Sequence, residues 1–274
     1  MNIYLIAGGD IRMAKTYQLL KKQGEQAYLA WCEHLCREAI TDACEVLDIV
    51  KRATHLVLPI PYTRDAEFLF TPASDQKIEL AALLEVLQQE AKLFYGGTKT
   101  LPALPGIDLL ADAEYQAGNA YLTARAIADL LEQTYHVDTA HSKLLITGYG
   151  KIAKNLRSLL APGAQQITFA VRNPDVLAHL KNEQQECILL SQLDDWIGRF
   201  DCIINTVPAH IFSYERLCAL RNGCPLIDIA STPFGFDHNA KRPDSKLIFS
   251  ELSLPGRFYP DEEAENIYRI ITSG

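Results

Sequence analysis

The sequence predicts an α/β protein made of two doubly wound parallel-sheet domains with a cleft between them. Three observations carry that expectation. Short apolar runs alternate with amphipathic runs at helical spacing along most of the chain. The stretch "LLITGYGKIAKNL", residues 144–156, reads as a buried strand, a glycine turn and the start of a helix, and it opens a second series of such alternations. At 274 residues the chain is also long enough for two cores.

In order, "NIYLIAG" is a short apolar strand stopped by Gly8 and Gly9. "MAKTYQLLKKQG" has helical spacing and ends at Gly24, and "QAYLAWC" suits a second strand. "AITDACEVLDIVKRA" reads as a helix before the strand "THLVLPIP", which Pro59 and Pro61 interrupt. "SDQKIELAALLEVLQQEA" predicts a long helix with Ser74 as its N-cap, and "KLFYGG" a strand closed by a glycine pair. The Pro- and Gly-marked stretch 101–118 reads as the exit from a first domain, residues 1–118. "NAYLTARAIADLLEQTYH" is a bridging helix into the second, residues 119–254. There the strands "KLLIT", "QITFAVRN", "CILLS", "DCIINTVP", "PLIDIAS" and "KLIFSE" alternate with helical segments. The C-terminal helix "DEEAENIYRIIT" carries acidic residues in its first turn, where the helix dipole favours them, and is assigned with residues 255–274 to the first domain.

A formal net charge of −8 and the lack of a Lys/Arg cluster argue against a nucleic-acid surface. Apolar runs such as "HLVLPIPY" are too short and Pro-rich to span a bilayer, and "MNIYLIAGGD" has no signal-peptide pattern. Seven scattered cysteines without zinc-like spacing read as reduced thiols of a cytoplasmic protein, with no metal site expected.

Gly148-Tyr149-Gly150-Lys151-Ile152-Ala153 matches the G-x-G-x-x-A pattern of a Rossmann dinucleotide site. Gly148 permits the tight turn, Gly150 lets a pyrophosphate approach the backbone, and Ala153 keeps the helix close to the sheet. The free N–H groups of the helix N-terminus then face the anion. An NAD site places an acidic residue at the end of the next strand. Here that strand end reads Arg172-Asn173, and a guanidinium suits a 2′-phosphate, so NADP is the expected cofactor. The alternative is a solvated Arg172 with Asp175 on the ribose. Asn205, Thr206, Val207 and Pro208 end a later strand and are placed on the nicotinamide side; Ser231 and Thr232 end another. In the first domain the strand ends "GGDIRM", "LPIPYTRD" and "YGGTK" put Arg12, Arg64, Thr98 and Lys99 on one sheet edge, as donors for an acidic ligand.

Together, "GGDIR", "LPIPYTRD", "YGG", "NAYLTARAIA", "GYGKIAKNL", "FDCIINTVPA", "LIDIASTPFGFD" and "LPGRFYP" resemble, in order and over nearly the whole chain, the A-type subunit of dipicolinate synthase. The sequence departs from that pattern at Met13 and at Leu122, Arg125 and Ala126, which stand where the family has Gln, Pro, Glu and Gly. The "DEEAE" stretch replaces a small-residue turn. The resemblance implies an NADP-dependent oxidoreductase of the mother cell of a sporulating bacterium. It would form dipicolinate from a dihydrodipicolinate-level precursor, on a branch of the lysine pathway, in a heteromeric complex with a flavoprotein-like B-type partner. The implied reaction sends a hydride to the nicotinamide and a proton to a base while the ring becomes aromatic. Arg12 and Arg64 are the expected anchors of the two carboxylates, with Thr98, Thr123 and Ser231 adding hydrogen bonds; Asp65 and His210 are the candidate bases. Two other readings stand beside it: a dehydrogenase of another small carboxylic acid, and an NADP-binding regulatory or scaffolding subunit.

Overall fold

The computed structural model describes residues 2–97 and 101–273; Thr98 and Lys99 lie outside them. The chain divides into two units, 1–119 with 255–274, and 120–254. The first contains β1 (Ile3–Ala7), α1 (Ile11–Lys22), β2 (Gln26–Ala30), α2 (Ala43–Val50), β3 (His55–Val57), α3 (Leu80–Glu85), β4 (Lys92–Tyr95) and β5 (Ile107–Asp108). Helix α4 (Ala113–Gln133) begins there and continues into the second unit, and α9 (Leu254–Phe258) and α10 (Pro260–Ser273) return to the first. The sheet runs β2-β1-β3-β4-β5, all parallel.

Period-two alternation in β1 explains why both faces are covered. Tyr4 and Ile6 pack with Met13, Tyr17 and Leu20 of α1 and with Ile267 and Ile271 of α10. Leu5 and Ala7 face the other way, onto Val46, Ile49 and Val50 of α2 and Leu80 and Leu83 of α3. Each such fully buried aliphatic side chain contributes about 1.5–3 kcal/mol through removal from water, which fixes the sheet's register. A buried polar group ties α10 down: Glu263, fully buried, accepts from Tyr115 Oη at 2.5 Å and Asn119 Nδ2 at 2.9 Å. Burial, followed by the Glu263 charge, pushes the Tyr115 phenol well above its ordinary value.

The second unit holds β6 (Lys143–Thr147), α5 (Lys151–Leu160), β7 (Gln166–Val171), α6 (Pro174–Asn182), β8 (Cys187–Leu189), α7 (Leu193–Trp196), β9 (Cys202–Asn205), α8 (Tyr214–Ala219), β10 (Pro225–Asp228) and β11 (Leu247–Ser250). Its parallel sheet is ordered β11-β10-β9-β6-β7-β8, the Rossmann order in which the chain reverses direction of growth between the first and fourth strands. That switch point lies between β6 and β9.

Three elements differ from the sequence reading. The helix expected over 74–91 is confined to α3, because the preceding residues pair instead: Leu69 N donates to Ile78 O at 2.9 Å and Phe68 bridges Glu79. Ser74, expected as its N-cap, donates to Glu33 Oε1 at 2.7 Å. The stretch read as a domain exit supplies β5 and starts α4, with Tyr115 N donating to Asp112 Oδ1 at 2.8 Å in the first turn. Among the described residues no helix is long and apolar enough to cross a membrane, and no metal-ligating cluster is found. All seven cysteines are unbridged, and burial pushes the Cys32 and Cys224 thiols up to about 12.

Candidate functional site

The glycine turn sits at the carboxyl end of β6, at the switch point. Gly148 has φ +84°, and a Cβ there would lie 2.8 Å from Thr206 Oγ1 and 3.1 Å from Val207 Cγ2, so glycine is required for both conformation and space. Gly150 is the N-cap of α5, without a side-chain capping bond, and a Cβ on it would meet nothing within 4 Å. The first-turn N–H groups therefore have no side-chain acceptor and open onto accessible backbone. Those are the two requirements for seating a pyrophosphate. Ala153 is fully buried, with Leu156, along the face that α5 turns to the sheet. Lys151 is exposed and Ile152 half-buried.

A cleft of about 440 Å³ opens beside the turn, lined by Gly148, Tyr149, Arg172, Asn173, Val207 and Pro208 among others. Its remaining walls are aliphatic (Val176, Leu190 and Ile211 among them), and Arg172 is its one charged lining residue. The volume and the mainly apolar walls suit the adenosine half of a dinucleotide. Arg172 is exposed. Asn173 caps α6, its Oδ1 accepting from Asp175 N at 2.8 Å, with Pro174 in the first turn. Asp175 does not line the cleft.

Asn205 departs from its expected place. Expected to contact the nicotinamide, it is fully buried and spends its side chain inside the protein. Its Nδ2 donates to Asp228 Oδ1 at 2.7 Å and Val207 O at 3.1 Å, while its Oδ1 accepts from Val207 N at 3.1 Å and from Thr147 Oγ1. Asp228, also buried, accepts from Ala230 N at 3.1 Å and Gly235 N at 2.7 Å. The Thr147–Asn205–Asp228 network thus braces the loops after β6, β9 and β10 from beneath. Thr206 is likewise turned inward, Oγ1 donating to Thr147 O at 2.6 Å. Only Val207 and Pro208 of that quartet line the cleft.

Ser231 is exposed and accepts from Phe234 N at 2.8 Å through its carbonyl. His210, exposed at the end of the β9 loop, places Nε2 2.7 Å from Pro233 O. A carbonyl only accepts, so Nε2 carries the hydrogen and Nδ1 is left to take up a proton in the neutral ring. Thr123 is buried in α4, within the second unit.

In the first unit Arg12 is drawn into the fold. Its Nε donates to Asp10 Oδ1 at 2.9 Å, and its Nη2 to Asp10 Oδ2 at 2.8 Å and Ile60 O at 2.6 Å; the side chain is 11% exposed. Burial alone would lower the guanidinium's affinity for its proton, but the Asp10 bonds and charge outweigh it and hold it above its ordinary value. Arg64 is exposed, its guanidinium 4.3 Å from the centroid of Phe70. Asp65, a candidate base, is an acceptor in a turn: Phe68 N donates to its Oδ1 at 2.9 Å and Glu67 N at 3.0 Å. These backbone bonds hold its carboxyl below the usual range, which opposes proton uptake near neutrality.

Sequence reading overlooked Asp228, which looked like any strand-end carboxylate, and two basic residues of α5, Lys154 and Arg157. Lys151, Lys154 and Arg157 recur every third residue after the turn, a spacing that was the available signal. Arg157 Nη1 donates to Tyr149 Oη at 2.7 Å and Glu183 Oε2 at 2.6 Å.

Residues 4–101 match the family model of the N-terminal domain of the dipicolinate synthase A-type subunit. Among solved structures, the A-type subunit of dipicolinate synthase from Bacillus halodurans superposes with a TM-score of 0.84 at 19% identity, covering 99% of this chain and 97% of that one. Its counterpart in the dipicolinate synthase of Bacillus subtilis gives 0.82 at 17% identity, with 99% and 95% covered. A transhydrogenase from Sinorhizobium meliloti gives 0.59 at 15% identity, with 99% and 92% covered. None of the curated proteins matches. Residues 4–101 are thus similar to the N-terminal domain of the dipicolinate synthase A-type subunits, and the whole chain has the fold of those subunits.

Proposed function

We propose that this chain is an NADP-dependent oxidoreductase subunit that forms dipicolinate from a dihydrodipicolinate-level precursor. The observation that carries the reading is the glycine turn at the switch point, open at Gly150 and joined to a cleft whose one charged lining residue is a cation, Arg172. The match of residues 4–101 to the N-terminal domain of dipicolinate synthase A-type subunits supports the substrate class. The residues present fit a dinucleotide: uncapped first-turn N–H groups of α5 for the pyrophosphate, an apolar slot for adenine with Val207 and Pro208 in its wall, and Arg172 for a 2′-phosphate. When bound, the nicotinamide supplies the hydride acceptor.

The protein's own tasks are then to hold a planar dicarboxylate and to take one proton. Arg64 is the anchor best placed for a carboxylate, being exposed and without an ion pair among the described residues. Arg12 contributes chiefly by fixing the loop at Ile60. In the second unit Ser231 and His210 are exposed, and His210 Nδ1 is the base that this reading assigns, since Asp65 is committed to its turn. Loss of a hydride and a proton from neighbouring ring atoms yields the aromatic product, so orientation is the main requirement. A B-type partner completes the active enzyme.

The second reading, a nucleotide-binding subunit whose partner does the chemistry, is favoured by one observation: Asp65 and Asn205, both assigned to the site from sequence, are occupied structurally. Titration with NADP+ and NAD+ in the presence of dihydrodipicolinate, with and without the B-type partner, separates the two. NADPH formation supports the oxidoreductase; tight NADP+ binding without turnover under either condition selects the second reading. Binding of neither nucleotide overturns both.

A further inference from the structure

Tyr149 stands between the two glycines of the turn, and its ring is held on three sides. Phe169 meets it edge-on, with centroids 5.0 Å apart at 76°. The Lys154 ammonium lies 5.3 Å from its centroid. Its hydroxyl oxygen accepts from Arg157 Nη1 at 2.7 Å, and the same nitrogen donates to Glu183 Oε2 at 2.6 Å. The remaining side lines the cleft that Arg172 also lines.

Two features make this more than packing. A phenol oxygen that accepts from a guanidinium still has a hydrogen to give, and among the described residues that hydrogen meets no acceptor. Accepting from a cation also polarises the hydroxyl toward donation. The surroundings are cationic as well. Lys154 and Arg157 are set against one carboxylate, Glu183, which His179 Nε2 also approaches at 3.2 Å, and Arg172 adds a further cation on the cleft wall. In a chain of net charge −8 this local excess of positive charge favours an anion.

We propose that Tyr149 is a specificity-determining residue, donating its phenolic hydrogen to the phosphate on the adenosine ribose of the dinucleotide, and that Arg157 is the positioning residue that fixes it there. This rests on the nucleotide reading above. The 2′-phosphate is thereby gripped from two elements, the turn after β6 and the strand end that carries Arg172. Glu183 holds Arg157 in place from the far end of α6.

The test is calorimetric titration of the full chain with NADP+ and with NAD+, for the wild type, Tyr149→Phe, Arg157→Met and the double variant. Removing one hydrogen bond to a charged acceptor at this half-exposed position is expected to weaken NADP+ binding about tenfold, with NAD+ affinity changed by less than about twofold. Arg157→Met is expected to lose NADP+ affinity selectively, and the double variant to lose far less than the product of the two single losses. Tyr149→Phe removes a single oxygen and so preserves the packing if Arg157→Met fails to fold. Equal losses for both nucleotides, no loss for either, or fully multiplicative losses in the double variant would overturn the proposal while leaving nucleotide binding intact. A wild-type chain that binds neither nucleotide would remove the functional reading beneath it.

Discussion

Replacing Asn205 by Asp places a second carboxylate 2.7 Å from Asp228 Oδ1, both fully enclosed. At an effective dielectric constant near 20, two unit charges at that distance repel by about 6 kcal/mol. Protonating one carboxyl at pH 7 costs only about 4 kcal/mol, three units above its ordinary pKa at about 1.4 kcal/mol each. The cheaper route wins, so the variant folds with one shared proton, and the new O–H donates to Asp228 in place of the amide. One carboxyl pKa is then raised in the folded state above its unfolded value. The destabilisation is absent below the unfolded pKa and grows with pH by about 1.4 kcal/mol per unit. Urea unfolding followed by circular dichroism, wild type against variant, should give a difference near 1 kcal/mol at pH 5 and about 4 kcal/mol at pH 7. Converting Asp228 to Asn in the same chain leaves one carboxylate and abolishes the slope, although it does not restore full stability, since Ala230 N and Gly235 N both donate to Asp228. A stability difference that does not change with pH would refute the assignment of Asn205 as a buried partner of Asp228.

The two glycines of the turn should separate folding from binding. Gly148→Ala forces a Cβ to within 2.8 Å of Thr206 Oγ1 at φ +84° and should cost about 1–3 kcal/mol of stability, read as a lower unfolding temperature. Gly150→Ala meets no atom within 4 Å and should leave that temperature unchanged while nucleotide affinity falls at least about tenfold, as a methyl enters the pyrophosphate's approach. Arg172→Asp should cut NADP+ affinity at least about a hundredfold more than NAD+ affinity, because a carboxylate repels the phosphate the guanidinium would hold; equal losses would detach Arg172 from cofactor choice. Arg12→Met should destabilise by about 3–4 kcal/mol, the lower part of the range for breaking a buried pair because Asp10 is partly exposed, and thermal unfolding of the full chain measures it.

Both sheets were legible because alternation of apolar strands with amphipathic helices is a local signal, and the glycine turn was legible because a strand that passes into a helix through a positive-φ residue needs glycine there. What escaped was whatever depends on lateral register. Asn205 pairs in register with Thr147 on one side and with Asp228 on the other, so three polar residues far apart in sequence meet beneath the loops. A strand-end Asn looks the same in sequence whether it turns up to a ligand or sideways to its neighbours. Arg12 failed to read correctly for a similar reason: Asp10 is visible two residues away, but the carbonyl of Ile60 arrives only through the pairing of β1 with β3. The long helix expected over 74–91 lost its first turns to bridges with 63–69 that no periodicity announces.

The first sheet differs from the second at one decisive place. Its order, β2-β1-β3-β4-β5, also has a switch point, between β1 and β3, where doubly wound folds of this order bind phosphorylated ligands. Here the chain has closed that position to an anion. Asp10 caps α1, its Oδ1 accepting from Arg12 N at 3.0 Å, so a carboxylate already sits where a phosphate would meet the helix N-terminus. The Arg12 side chain then spans from Asp10 to Ile60 O across the strand ends. In the second unit the equivalent cap is Gly150, with no side chain to compete. Of two sheets built on the same plan, only the second leaves its switch-point helix without a side-chain cap, and under the proposed nucleotide reading that difference of one residue type at one N-cap decides which of them can take the pyrophosphate.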